Sequence, residues 1–302
     1  MTDQAVLPVE PPSGGIQISY SQISMWEGCG EKVKLAYVDK RPPIPQGAFI
    51  AGIAGHETLH QAELEGWWRE PMPKPKDPAL AEHPLVAHFR AGLVEAVQER
   101  GGQQEIRWAG KKSKEFPDGE NAVWWFERMI PHTMRRYHYL RNMHDFTGTR
   151  YFRGTQGVEM EVVMPLPSGN WVKARVDVFI TVDPDGARQI FDYKFGQPSG
   201  GDPFQLALYA KAVEHVHGIR VESGQFGYLR SAKDETLLQT VDLRPLLPLV
   251  DRKIEDYERA RELGFFPLKN SSYCPGCAWR VWCPYGKTLG TDDLPESWRD
   301  MA

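Results

Sequence analysis

Cysteine is scarce in this chain, with four in 302 residues. Met1 to Gly15 is Pro-rich and acidic, where a secretory signal is basic and then apolar, so the few thiols are not read first as a disulfide framework. Long apolar runs are missing too: nothing approaches the roughly 20 residues that cross a bilayer. No membrane span is expected, and a cytoplasmic location follows. An excess of positive charge is equally absent. The formal net charge of -4 carries no global basic signature for nucleic-acid binding. Local groups such as Lys111, Lys112 and Lys114, or Arg135 and Arg136, are then read as solvated faces. No internal repeat is visible.

What is present suffices for an ordinary globular protein. With 41% hydrophobic and 25% charged residues, the chain can bury a full core as one large or two small domains. The four cysteines are unevenly placed: Cys29 stands near the start, and Cys274, Cys277 and Cys283 form a tight trio beside the turn-forming Pro275 and Gly276. A C-x2-C pair without a secretory signal reads as a set of soft-metal ligands. Structural zinc usually takes two close pairs, whereas iron–sulfur clusters tolerate a distant cysteine joined to a local group. The C-x2-C-x5-C-P run therefore favours iron–sulfur over zinc, although spacing alone does not separate them.

Periodicity orders the rest. Ser19 to Tyr37 has Ile23, Trp26 and Val33 at near-helical spacing behind a Ser19 or Ser21 cap, with Cys29 in or beside that helix. Helices are also expected over Ala48 to Trp68, Pro84 to Arg100 and Glu120 to Asn142, the last bent by Pro131. From Gly157 the period changes to two. Strands are predicted over Gly157–Met164, Trp171–Val182 and Arg188–Lys194, with turns at Pro167-Ser168-Gly169-Asn170 and Asp183-Pro184-Asp185-Gly186. A helix over Phe204–His217, a strand pair over Val221–Arg230 and Thr236–Leu243, and a helix over Leu246–Leu263 complete the pattern.

Chemistry concentrates on the hairpin. Alternation puts Asp192 and Lys194 on one side of their strand, with Asp177 on the strand before. Paired carboxylates on adjacent strands suit the hard cations Mg2+ and Mn2+, and a lysine beside them can orient water or stabilise charge on a phosphate. Gln205 and Tyr209 follow at i and i+4 on the next helix, sharing one face.

These residues resemble the RecB-like branch of the PD-(D/E)xK nucleases, and within it the iron–sulfur group that includes AddB-type and CRISPR-associated Cas-four exonucleases. Gly52 to His56 looks like the helical G-x-x-x-H, Asp177 like the metal-binding Asp of the G-x-x-D strand, Asp192 and Lys194 like the D-x-K, and Gln205 and Tyr209 like the Q-x-x-x-Y. Cys29, Cys274, Cys277 and Cys283 look like the cluster ligands. Ala174 stands where the family prefers Gly, and Glu159 and Glu161 share the parity of a further family glutamate. The resemblance implies an α/β fold with a restriction-endonuclease-like core, a central mixed sheet flanked by helices, plus a helical insertion and a C-terminal iron–sulfur segment. The expected layout is a disordered tail over residues 1–18, one nuclease domain over 19–290 with its insertion at about 67–150, and an acidic tail over 291–302.

The activity implied is metal-dependent DNA cleavage, as an exonuclease on single strands or DNA ends. His56, Asp177, Asp192 and the backbone carbonyl of Tyr193 would hold Mg2+ or Mn2+, and a 4Fe-4S cluster would bind the cysteines. DNA is the expected partner, with a helicase, a recombination protein or CRISPR-adaptation machinery beside it; oligomeric state carries no sequence signal. Two rivals remain. His56-Glu57-Thr58-Leu59-His60 spells the zinc-peptidase H-E-x-x-H, but Glu63 and Gly66 stand where the longer metzincin form needs Gly and His. The other rival keeps the fold as a DNA-end-binding module without activity. Gly286-Lys287-Thr288 ends like a phosphate-binding loop, but Val281 occupies the place of its first glycine.

Overall fold

The computed structural model of the chain describes residues 13–108, 114, 119, 121–143, 149–151, 157–182, 187–196, 201–292, 294–299 and 301. Lys111 and Lys112, the Asp183–Gly186 turn and most of the tail lie outside them. In chain order the first elements are β1 (Gln17–Ile18), α1 (Tyr20–Gly28), α2 (Gly30–Val33), α3 (Gly47–Glu65), α4 (Pro84–Gln98), α5 (Ala122–Trp124) and α6 (Ile130–Met143). They are followed by β2 (Thr149–Tyr151), β3 (Val158–Pro165), β4 (Trp171–Val182), β5 (Ala187–Lys194), α7 (Pro203–His217), β6 (Ser223–Tyr228), β7 (Leu238–Asp242), α8 (Leu247–Glu262) and α9 (Glu296–Arg299). Where the sequence suggests one domain, contacts gather into two compact units. The first comprises Met1–Ile23, His60–Pro71 and Arg135–Asp256; the second comprises Ser24–Leu59, Met72–Met134 and Tyr257–Ala302.

The first unit is built on a mixed sheet ordered β1-β4-β5-β6-β7, with β2 and β3 also on β4. β3, β4 and β5 form the expected antiparallel meander. At the first turn the Leu166 N–H bonds the Asn170 carbonyl at 2.8 Å, and Gly169 supplies the left-handed residue at φ 86°. The parallel β5–β6 pair needs a crossover, and α7 provides it, packing on β3, β4 and β5. Asp202 caps α7 by accepting the Phe204 N–H at 3.0 Å, and Pro203 follows as its first residue. Because helix and sheet enclose it, β5 departs from simple alternation: Ile190, Phe191, Asp192 and Tyr193 are all buried.

The expected tail ends before residue 17, since Gln17 and Ile18 form β1 in parallel with Trp171 and Val172 of β4. Two exposed backbone edges gain ladder bonds there, a tertiary pairing that a Pro-rich composition does not reveal. β2, at the boundary expected at about residue 150 for the helical insertion, likewise exists through pairing with β4.

The second unit is mainly helical. His83 and Pro84 open α4, which buries Leu85, Val86, Phe89 and Leu93 along one stripe. Phe89 meets Trp125 with ring centroids 6.4 Å apart. A π-helical turn over Trp125–Met129 joins α5 to α6 just ahead of Pro131, the residue at which a bend is expected. Proline has no N–H to continue the regular ladder, and widening the preceding turn is one way to accommodate it.

Gly227 of β6 sits opposite Tyr193 of β5, where a Cβ would lie 3.0 Å from Phe191, 3.1 Å from Leu140 and 3.2 Å from Tyr193. Gly227→Ala is expected to cost about 1–3 kcal/mol by overpacking, read as a lower urea midpoint at unchanged slope.

Candidate functional site

In the first unit, six of the sequence-predicted residues, Asp177, Asp192, Tyr193, Lys194, Gln205 and Tyr209, gather at the C-terminal end of β5. The β4–β5 ladder runs from Val182↔Ala187 to Val178↔Phe191 and stops there. Continuing the register would set Asp177 against Asp192. Instead, the Asp177 carboxylate accepts the backbone N–H of Tyr193 at 2.8 Å, so a side chain replaces the backbone partner where the two strands part.

Asp192 is 2% exposed. Its Oδ2 lies 2.7 Å from Lys194 Nζ, and its Oδ1 accepts from Gln205 Nε2 at 2.8 Å. Gln205 also accepts from Lys194 Nζ at 2.7 Å through Oε1 and is 3.0 Å from the Tyr209 hydroxyl through Nε2. Lys194 is thereby held between two acceptors with 22% of its side chain exposed, so its ammonium is fixed and still reachable. The i, i+2 spacing on β5 and the i, i+4 spacing on α7 make this set, as the sequence pattern implies. Burial of the Tyr209 hydroxyl raises its pKa far above the ordinary range, and the nearby Asp192 charge pushes the same way.

Between the two glutamates of equal parity, the structure chooses. Val158 and Met160 pair with Val178 and Val176, which sets Glu159 opposite Asp177. A carboxylate oxygen of each lies within 4.8 Å of the other. Glu159 has φ 49°, a left-handed conformation that a non-glycine residue rarely adopts. Its side chain is 9% exposed and ion-paired with Arg175 at 2.5 Å. Glu161 is exposed and pairs with Lys173 at 2.7 Å. Closely approaching carboxylates are the donor set that a hard divalent cation requires. His56 lies on α3 in the stretch belonging to the second unit.

Sequence reasoning missed a buried group in the same unit. Glu63 and Arg141 pair at 2.9 Å with side chains 1% and 4% exposed, and Glu63 Oε1 accepts from the hydroxyls of Tyr137 at 2.8 Å and Tyr193 at 3.1 Å. Glu63 entered only as a mismatch to a peptidase motif. Its fit between α6 and β5 has no local spacing signal.

In the second unit, all four cysteines line one cavity of about 170 Å³, together with Lys32, Lys269 and Arg280. Cys29 breaks α1 from α2 with an extended backbone, φ -167° and ψ 111°. Gly30 follows where a Cβ would come 2.6 Å from the Pro267 nitrogen, so glycine allows the C-terminal segment to approach. Its N–H bonds the Pro267 carbonyl at 2.9 Å. The indoles of Trp279 and Trp282 donate to the carbonyls of Arg41 and Pro42 at 3.0 and 2.9 Å. Backbone N–H groups also approach sulfur, Ser271 to Cys274 at 3.3 Å and Lys269 to Cys29 at 3.5 Å. Burial raises the Cys277 thiol pKa.

The competing motifs find structural uses. Thr58, inside the H-E-x-x-H spelling, is buried, donates to the Ala54 carbonyl at 2.8 Å and lies 3.2 Å from His88 Nδ1, while Glu57 is exposed. Gly286-Lys287-Thr288 is a short 3-10 turn, and Gly286 packs against the Arg280 carbonyl.

The family model for the PD-(D/E)XK nuclease superfamily matches residues 17–284, which covers the Asp192 group and all four cysteines. It also covers His56 to His60, so a nuclease family accounts for the helix that spells the peptidase motif. Gene 69 protein of Mycobacterium phage D29 is 24% identical over 277 residues, 89% of this chain and 97% of that protein. No helix is long and apolar enough to cross a membrane among the described residues.

The Tyr209 shift has a defined sign. Unfolded tyrosine loses its proton near about pH 10, while folded Tyr209 keeps it. Above that pH the folded state binds more protons than the unfolded state, so this raised pKa lowers stability as pH increases. Alkaline unfolding curves of Tyr209→Phe are expected to lose stability less steeply above about pH 10 than the parent.

Proposed function

The chain belongs to the PD-(D/E)XK nuclease superfamily, a family of metal-dependent nucleases, and on that premise we propose that it is a DNA nuclease acting on single strands or DNA ends as an exonuclease. The observation that carries this reading is the Asp192–Lys194–Gln205 group beside the opposed carboxylates of Asp177 and Glu159. Two acidic side chains at that spacing fit Mg2+ or Mn2+. Asp177, Glu159, Asp192 and the carbonyl of Tyr193 are the residues that would hold it, and the resemblance adds His56.

A bound divalent ion supplies Lewis-acid polarisation of the phosphate and lowers the pKa of its water. The chain's own residues do the rest. Lys194, restrained by Asp192 and Gln205, donates a hydrogen bond to the incoming water or to the phosphate oxygen on which charge develops. Tyr209 stays a neutral hydroxyl and steadies Gln205. Asp177 keeps its orientation through the Tyr193 N–H. Hydrolysis adds water across one P–O bond, leaving one strand end as a hydroxyl and the other as a phosphate monoester. An inactive DNA-end-binding module fits less well, since hydrogen bonds join the side chains of Asp192, Lys194, Gln205 and Tyr209 into one group.

The cysteine cavity supports a 4Fe-4S cluster of the RecB-like, iron–sulfur type. A C-x2-C-x5-C-P run joined to the distant Cys29 is the ligand pattern that favours a polynuclear group over a single ion. The N–H groups aimed at Cys29 and Cys274 are contacts that tune such clusters. The cluster is read as structural, joining the α1–α2 break to the C-terminal segment.

Purified protein is expected to degrade DNA with Mg2+ or Mn2+ and to stop on chelation, with Asp192→Asn and Lys194→Ala each slowing cleavage by about 100-fold or more. Either variant cutting at the parental rate would remove the assignment. Anaerobically purified protein should be brown and contain iron and labile sulfide. Cys29→Ala should lose the iron and melt earlier, whereas a colourless parent with one tight zinc would overturn the cluster.

A further inference from the structure

We propose that Glu63 is a positioning residue for the metal site, acting through the Tyr193 side chain and itself paired with Arg141. The inference rests on the reading of Asp177 and Glu159 as cation ligands.

Three observations converge on it. First, the arrangement is costly unless completed: Glu63 and Arg141 are 6% and 5% exposed, and a buried carboxylate needs donors on its oxygens. The Glu63 carboxylate meets that demand with three donors, Arg141 Nη2 at 2.9 Å and the hydroxyls of Tyr137 and Tyr193 at 2.8 and 3.1 Å. Stability alone does not call for such a group, because well-packed apolar side chains commonly serve as well.

Second, the group ends on the residue that joins the site's two acidic strands. Tyr193 stands between Asp192 and Lys194, and alternation turns its ring to the opposite face of β5. Its N–H is the donor that orients Asp177. Anchoring the hydroxyl fixes the rotation of β5 about its axis without placing a further group among the cation ligands. Third, the ring has little freedom. Tyr137 meets it edge-on with centroids 5.4 Å apart, Phe191 lies at 5.1 Å, and the missing side chain at Gly227 leaves room for the Phe191 and Tyr193 rings. Ligand geometry of this kind tolerates errors of only about 0.5 Å.

Full-length Tyr193→Phe keeps the ring and deletes the hydroxyl. Tyr137→Phe deletes a hydrogen bond to the same Glu63 oxygen without touching β5, and so controls for loss of buried bonding. Mn2+ is titrated by electron paramagnetic resonance without DNA, and melting temperatures are recorded alongside. Both variants are expected to melt earlier by similar amounts, while Tyr193→Phe weakens Mn2+ binding by about 10-fold or more and Tyr137→Phe does so clearly less. Should Tyr193→Phe not fold, Glu63→Gln keeps shape and an acceptor, and is expected to weaken Mn2+ binding about as much. The positioning role is overturned if Tyr193→Phe, or Glu63→Gln in its place, binds Mn2+ as the parent does, or no more weakly than Tyr137→Phe. It is overturned as well if the parent binds no Mn2+. A parent that binds Mn2+ but cuts no DNA would refute the nuclease reading while leaving this inference to be judged on Mn2+ affinity.

Discussion

Everything proposed for the first unit depends on one hydrogen bond, from the Tyr193 N–H to the Asp177 carboxylate. A regular antiparallel ladder would satisfy that N–H with a backbone carbonyl. Here the ladder stops at Val178↔Phe191, and a side chain takes the donor. The strands part without leaving the Tyr193 N–H unsatisfied, and a carboxylate is oriented where they part. Glu159 reaches Asp177 from the other neighbour of β4 through an unfavourable backbone conformation. Strain of this kind persists only where the surrounding structure over-determines it.

Charge in this unit is buried in two different ways. Asp192 is paired with a lysine whose side chain remains 22% exposed. Glu63 and Arg141 are closed on all sides. The first arrangement suits chemistry and the second suits rigidity. Tyr193 belongs to both, with its backbone N–H on Asp177 and its hydroxyl on Glu63.

The second unit follows a different logic. Its C-terminal segment has little regular structure, and a small apolar cluster of Ile44, Val281 and Leu294 is its local core. Trp279 and Trp282 bond the backbone at Arg41 and Pro42, Gly30 admits Pro267, and Arg280 bonds the carbonyls of Pro275 and Gly290 at 2.7 and 2.8 Å. These contacts bring the distant Cys29 to one cavity with Cys274, Cys277 and Cys283. A ligand shared among them would close a very long loop, which in chain-entropy terms restricts the unfolded state strongly.

Local pattern alone determined α3, α4, α6, α7 and α8, the β3–β5 meander, and the pairs Asp192 with Lys194 and Gln205 with Tyr209, whereas the helix expected over Ser19 to Tyr37 is broken at Cys29. Each follows from a short period: two along a strand, three to four along a helix. The same pattern placed the cysteines as one set, because C-x2-C spacing is local even when Cys29 is not. Only the tertiary structure decided the remainder. β1 and β2 exist through pairing with β4, not through propensity. Glu159 and Glu161 are equivalent by parity, and the left-handed backbone at Glu159 separates them. Glu63, Arg141 and Tyr193 are far apart in sequence, and the buried carboxylate that joins them comes into being only when α3, α6 and β5 pack. Periodicity is a property of one element, whereas the burial that makes a carboxylate an anchor belongs to several elements at once.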